Sequence, residues 1–360
     1  MLSVTDIEKS AGIPPTVPAD LTRSEWGTYR RRMLRVFMEG EYGITPPAPD
    51  GITSEVVCEE PAAPDGAAVH RQVTIGFETP GGPFAFRTDV VIPNRAEPVP
   101  AFVYLSYQTY PNGPMCPEAE IAGRGYAVAS FRFEDVTLDR EDGFTSGLAG
   151  LYPRRGDGTD WGKLGMWAYA ASRVLDHLLS CPEIDPDRVY VIGHSRLGKA
   201  AVWCAVQDER FAGVVSNASG FAGAAITRRN RFEHIAKASK RFGYWLCDNI
   251  RQYADREEEM PFEQNQLLGL MAPRLLCIGS GSLDRFADPD SEYLTAVLAS
   301  EAYTLLGLDG LVGYTDETIP AGQRLFDGRV GYQLREGPHD LTSADWQAYC
   351  DFFDVHRPVT

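Results

Sequence analysis

The chain has 360 residues, 44% hydrophobic and 23% charged, with 50 acids against 34 bases for a formal net charge of −16. This composition supports a sizeable core and excludes global disorder. So acidic a surface repels nucleic acid and anionic membranes, and no basic run offsets it, so neither is expected as a partner.

The opening MLSVTDIEKSAGIPPTVPADL lacks a charged region followed by an apolar one, so no leader and a cytoplasmic location are expected. No apolar run is long enough to span a membrane. The seven cysteines are scattered, with no Cys-x-x-Cys pair and no His/Cys cluster at zinc spacing. Reduced structural thiols and no metal are therefore expected.

In chain order, residues 1–20 form a Pro-rich arm. Thr22 and Glu25 make a capping box, which predicts a helix running through WGTYRRRMLRVFMEGEYG to Gly43. Residues 1–50 are expected to be an arm and helix packed on the core, and 51–360 a single catalytic domain. VHRQVTIGFETP and FAFRTDVVIP flank Gly81-Gly82 and predict a hairpin. PAFVYLSY and GYAVASFRF are short apolar runs suited to buried strands. A polar, Gly-rich loop follows over 136–160, then a helix over Trp161–Leu179.

Strand RVYVIG, a helix over Leu197–Val206 and strand GVVSNAS come next, then two helical stretches before Pro273. RLLCIGS, a helix over Tyr293–Leu306, RVGYQLREG and SADWQAYCDFFDVH complete the alternation. Antiparallel strands followed by β-α units predict an α/β fold: a three-layer sandwich around a mostly parallel, doubly wound sheet.

VYVIGHSRLGKAAVW, residues 189–203, fits two motifs imperfectly. As a phosphate loop it has Ala200 where a Ser or Thr hydroxyl should hold magnesium. No Asp ends GVVSNAS or RLLCIGS to assist such an ion. As a nucleophile elbow it has Ser195 in place but its second glycine one residue late, at Gly198. The elbow makes a further demand that the chain meets, because a hydrolase triad runs Ser, then acid, then His. Asp284 and Asp288 follow RLLCIGS, and His339 follows the last strand.

The chemistry explains these residue types. A serine hydroxyl becomes a nucleophile when an imidazole takes its proton, and a carboxylate fixes that imidazole's tautomer. The amide of Arg196 would face the oxyanion, with a second donor expected from Ser106-Tyr107-Gln108. His70, His177, His194, His234 and His356 sit in a strand, a helix, beside the serine, in a charged helix and near the chain end, and are weaker candidates. Asp288 precedes Pro289 as the expected cap of a helix, so Asp284 is the preferred acid.

Seven segments occur in order over roughly residues 100–355: DWGKLGMWAYAASRVLDHL, GHSRLGKAAVW, SGFAGAAITRR, RFGYWLC, MPFEQNQLLGLMAPR, DRFADP and REGPHDLT. Together they resemble the glucuronoyl esterases of carbohydrate esterase family 15, the bacterial branch more than the fungal. The resemblance implies an α/β-hydrolase fold. It also implies cleavage, with no metal or cofactor, of esters joining 4-O-methyl-glucuronic acid on xylan to lignin alcohols. Ser195 would be the nucleophile and His339 the base. The Arg196 guanidinium would join its own amide at the oxyanion, and Lys199 would contact hydroxyls of the uronate ring. Glu233 matches a substrate-contacting Glu, and Phe286 stands where the family usually places a Trp against the sugar.

Two positions depart from the family pattern. Ala218 replaces a Glu that serves as the acid in many members; some bacterial members take the acid after the next strand, which is Asp284 here. Asn265 stands where His is common. Trp161, Trp167 and Trp203 are expected to be structural. Trp245 fits a site wall or the core, and Arg228 and Arg229 fit a solvated face or a lure for a carboxylate. The partner is thus expected to be a carbohydrate ester, uronate or acetylated. The alternative functions are an acetyl esterase of the same fold and a non-catalytic sugar-binding pseudoenzyme.

Overall fold

The computed structural model describes residues 12–62, 66–111, 113–228, 230 and 232–356. The arm is held by specific bonds: the Thr16 amide donates to Glu301 Oε2 and its hydroxyl to the Leu298 carbonyl, both at 2.8 Å. The Asn265 side-chain amide donates to the Pro14 carbonyl and to Thr16 Oγ1, each at 2.9 Å. That is what Asn does in place of a His: it ties down the arm. The Thr22/Glu25 capping box opens a 3-10 turn that leads into α1, Trp26–Phe37. Its buried face of Trp26, Tyr29, Met33 and Phe37 recurs at helical spacing. A π turn, Met38–Tyr42, ends at Gly43, whose φ of 91° and close approach to Trp161 admit no side chain.

The strands follow as β1 Thr53–Pro61, β2 Ala68–Thr79, β3 Gly82–Pro93 and β4 Val99–Ser106. Then come α2 Glu118–Gly123, β5 Ala127–Arg132, α3 Phe133–Val136, α4 Lys163–Leu178 and β6 Ile184–His194. The second half holds α5 Arg196–Gln207, β7 Gly213–Asn217, α6 Ile235–Phe242, α7 Gln264–Gly269 and β8 Leu275–Gly281. It closes with α8 Pro289–Leu305, β9 Arg324–Leu325, β10 Val330–Arg335 and α9 Ser343–Val355. Among the described residues no helix is long and apolar enough to cross a membrane.

All ten strands join one sheet in the order β1-β2-β3-β5-β4-β6-β7-β8-β10-β9. β5, β4, β6, β7, β8 and β10 are mutually parallel, and β1–β3 and β9 add antiparallel edges. β1 has no counterpart among the strands read from the sequence. Its residues are exposed on both faces, so TSEVVCEEP carries no alternation to find, and a register shift follows Val56.

Strand alternation builds the three layers. In β4, Ala101, Val103 and Leu105 join a core with residues of α1, α4, α5, α7 and α8. Phe102 and Tyr104 point the other way, to α2 and α9, where the Trp346 ring lies 5.4 and 5.5 Å from theirs. The order reverses at β4, with β5 on one side and β6 on the other. In such sheets a crevice opens at the carboxyl ends of the strands flanking the reversal, and the chemistry-bearing residues gather there.

Candidate active site

Ser195 sits between β6 and α5 with φ 56° and ψ −127°. A non-glycine residue rarely adopts this backbone, and it lifts the side chain clear of the sheet. The turn closes tightly: the Ser195 amide donates to the Asn217 carbonyl at 2.9 Å, and the Ser195 carbonyl accepts from Gly198 at 2.9 Å and Lys199 at 3.2 Å. A side chain at Gly193 would collide with the Leu197 backbone. One at Gly198 would lie 3.0 Å from both the Gly193 carbonyl and the Ser219 side chain. The late glycine is therefore where α5 crosses the strand end and the loop after β7.

The loop after β8 brings Asp284 to His339, which follows β10. His339 Nδ1 donates to Asp284 Oδ2, which fixes Nε2 as the free imidazole nitrogen. Burial alone would raise the Asp284 carboxyl. The bond from His339, its charge, and the Ala287 and Phe286 amides override burial and hold it below the usual value. Asp288 does not share the site's bonding. It caps α8, accepting from the Ser291 amide at 3.2 Å.

His194 and Tyr107 flank this pair in ways the sequence did not indicate. The buried His194 ring lies 4.4 Å from that of His339 and bonds through Nδ1 to Asn217 Oδ1 at 2.6 Å. Burial first, then the nearby His339, pushes it down to about 4, so it stays neutral beside an imidazolium. Of the stretch expected to supply an oxyanion donor, the Gln108 amide is spent on Ser106 Oγ at 3.0 Å. The Tyr107 hydroxyl instead donates to the His194 carbonyl at 3.0 Å. Burial pushes this phenol up to about 12, against the pull of Arg196 and of hydrogen bonding to Ser195.

Arg196 Nη1 pairs with Asp139 Oδ2, and the Asp139 Oδ1 accepts from Trp245 Nε1 at 2.8 Å. The guanidinium carbon lies 5.0 Å from the Trp245 ring centre and 5.6 Å from that of Phe242. Trp245 is thus both buried and the wall behind Arg196. Lys199 is 2% exposed. Its Nζ donates to the Ser219 carbonyl at 2.7 Å, to the Phe221 carbonyl, and to Glu233 Oε2 at 3.1 Å. Those three bonds use all three ammonium hydrogens. Phe286 is 62% exposed, its ring 6.2 Å from that of the exposed Phe232.

Arg228 is neither a solvated face nor a free lure. Its side chain is only 5% exposed and is bound to Glu263 and to the Met260 and Phe262 carbonyls. Arg229 lies outside the described residues. Trp161, Trp167 and Trp203 are buried in the main core. Among the described residues no group of three or more His, Cys, Asp or Glu side chains could hold a metal.

Ala218, at φ 45°, leaves no carboxylate at the end of β7. A different one braces that strand end from behind. Glu292 of α8 accepts from the Gly220 amide at 2.9 Å, and its Oε2 is 2.6 Å from the Ser280 hydroxyl. It thereby ties the loop after β7 to the strand that leads to Asp284. Burial pushes Glu292 up to about 8, against the Gly220 and Ser280 bonds. Between its ordinary 4.5 and about 8 the folded protein keeps a proton that the unfolded chain releases, so this contribution to stability is lost as pH rises through that window. Glu292→Gln carries no such proton. Across pH 4.5 to 8 the variant's melting temperature is expected to gain steadily on the wild type's; parallel curves would refute the buried neutral acid.

Comparison with known proteins places this geometry. A family model described as "Glucuronyl esterase, fungi" matches residues 75–307. A curated carbohydrate esterase from an unknown prokaryotic organism is 37% identical over 238 residues, 65% of this chain and 54% of that protein. A 4-O-methyl-glucuronoyl methylesterase of Schizophyllum commune is 25% identical over 70% of this chain and 62% of its own length. The chain therefore spans a little over half the length of these curated relatives. Among solved structures, a glucuronoyl esterase from Solibacter usitatus superposes with a TM-score of 0.88 at 31% identity, covering 96% of this chain and 98% of that one. A carbohydrate esterase family 15 glucuronoyl esterase from Teredinibacter turnerae gives 0.88 at 26% identity, over 97% and 90% of the two chains. Elbow, triad order and whole-chain superposition agree: this chain belongs to the glucuronoyl esterase family, carbohydrate esterase family 15, with its α/β-hydrolase fold.

Proposed function

We propose that this chain is a serine carboxylesterase that hydrolyses esters of (4-O-methyl-)glucuronic acid through an acyl-enzyme on Ser195. The observation that carries it is the Asp284–His339 pair, supplied by adjacent strand ends of the sheet whose elbow presents Ser195. The names of the similar proteins, glucuronoyl esterases and a methylesterase, supply the substrate class.

His339 Nε2 takes the Ser195 proton as Oγ attacks the ester carbonyl. The tetrahedral oxyanion is met by the Arg196 amide and guanidinium, a charged donor being stronger than a neutral one. The imidazolium, stabilised by Asp284, gives its proton to the leaving alcohol. Water then attacks the acyl-enzyme, His339 again taking its proton; the imidazolium returns that proton to Ser195 Oγ as the acyl–oxygen bond breaks and the uronate departs. Glu233 is the partly exposed member of the Lys199 pair, so it takes the ring hydroxyls while Lys199 holds it in place. The exposed face of Phe286 packs on the sugar.

Methyl or benzyl glucuronate and acetylated xylo-oligosaccharides separate the candidate substrates. Turnover of the uronate ester with little deacetylation is expected. Good deacetylation with no uronate ester turnover would overturn the proposal in favour of an acetyl esterase.

A further inference from the structure

We propose that Asp139 is a positioning residue that makes the site favour the neutral ester over its own anionic product. It does so by holding the Arg196 guanidinium as half of a neutral pair. The inference rests on the uronate esterase reading, because there the half of the ester held by the sugar site is the one that becomes a carboxylate beside this guanidinium.

The physical problem is set by the reaction. The oxyanion places its charge on one oxygen, whereas the product carries it on two. An unpaired guanidinium fits a carboxylate with two parallel bonds and would hold the product tightly. Here Nη1 is already bound to Asp139. The Arg196 Nε–H is buried and has no hydrogen-bond partner among the described residues. With Nε buried and Nη1 on Asp139, a carboxylate can gain two parallel bonds only by sharing Nη1 with Asp139, whereas a single oxygen is met by Nη2 alone.

Asp139 is also held against displacement. Its second oxygen accepts from Trp245, and its carbonyl accepts from the Tyr244 hydroxyl at 3.0 Å. The flanking loop is pinned by Lys163, a buried lysine whose Nζ donates to the Leu138 carbonyl at 2.6 Å, the Arg140 carbonyl at 2.7 Å and Asp142 Oδ1 at 2.8 Å. The Phe242 and Trp245 rings confine the guanidinium. A product carboxylate must therefore compete with a fixed intramolecular one. The neighbouring lysine is matched in the same way: Lys199 faces Glu233. Arg196 and Lys199, the two cations of the elbow helix, thus each have their own carboxylate, which weakens their pull on an anion.

Asp139→Asn keeps the size of the side chain and an acceptor oxygen while removing the charge. The readout is the ratio of KM for benzyl glucuronate to the inhibition constant Ki for free glucuronate. The ratio is expected to rise about tenfold in the variant, equivalent to about 1.4 kcal/mol. The gain should shrink at high salt, as a charge effect must. A merely loosened site would raise both constants and leave the ratio unchanged. Protection of Ser195 from fluorophosphonate labelling by glucuronate measures the same affinity without turnover. An unchanged ratio, or no tighter protection in the variant, overturns the proposal. Failure of the esterase reading would show separately, as a wild-type protein that does not hydrolyse the uronate ester.

Discussion

Ser195→Ala is expected to lower kcat on a uronate ester by about a hundred thousandfold or more, and to abolish fluorophosphonate labelling. The size follows from how a triad works: its members act as a unit, and removing the nucleophile costs about 10⁵–10⁶ in kcat while binding survives. The variant should fold, because Ala fits the same turn and the hydrogen bonds at the elbow are made by its backbone. Ala, like Ser, bears the cost of a positive φ, about 1–2 kcal/mol. Circular dichroism and a melting curve close to the wild type's would establish that the loss is chemical. Residual activity within about a hundredfold of wild type would remove Ser195 as the nucleophile. Failure of the wild type to label would favour a sugar-binding pseudoenzyme, the reading that Ala218 prompted.

The second large effect separates two aspartates four residues apart. Asp284→Ala is expected to reduce kcat by about 10⁴-fold, because His339 loses the partner that fixes its tautomer and stabilises its charged form. Asp288→Ala should leave kcat within about tenfold of wild type. It should instead cost about 1 kcal/mol of stability, the usual loss for a helix cap. Kinetics and denaturation on the same pair of variants give a crossed result: one damages turnover, the other the fold. A larger kinetic loss at Asp288 would reassign the acid.

Much of this site was legible because its parts lie in strongly patterned sequence. Gly193, Ser195 and Gly198 mark a turn between an apolar strand and a helix. Asp284 and His339 follow two further strands in triad order. Other features left no local trace. β1 is exposed on both faces and shows no period. His194 looked too close to the serine to matter, yet its backbone is part of the elbow and its ring packs on His339. Asp139 lies in a polar loop where any acid reads as solvated, and Glu292 lies in a helix where an acid reads as exposed. Arg228 looked like surface and is buried on Glu263.

The sequence by itself determined the α/β alternation, the order of Ser195, Asp284 and His339 at successive strand ends, and the reading of Asp288 as a helix cap. These depend on periodicity, turn chemistry and strand-end position, which are local properties of the chain. Only the tertiary structure decided which charge answers which. Asp139 lies 57 residues before Arg196, and Glu233 34 residues after Lys199. Glu292 meets Gly220 across 72 residues. Ion pairs have no sequence period, and a buried charge takes whichever partner the packing of distant loops brings within about 3 Å. The late glycine at 198 was visible from the start; that it lets α5 pass Gly193 and Ser219 follows from the packing alone.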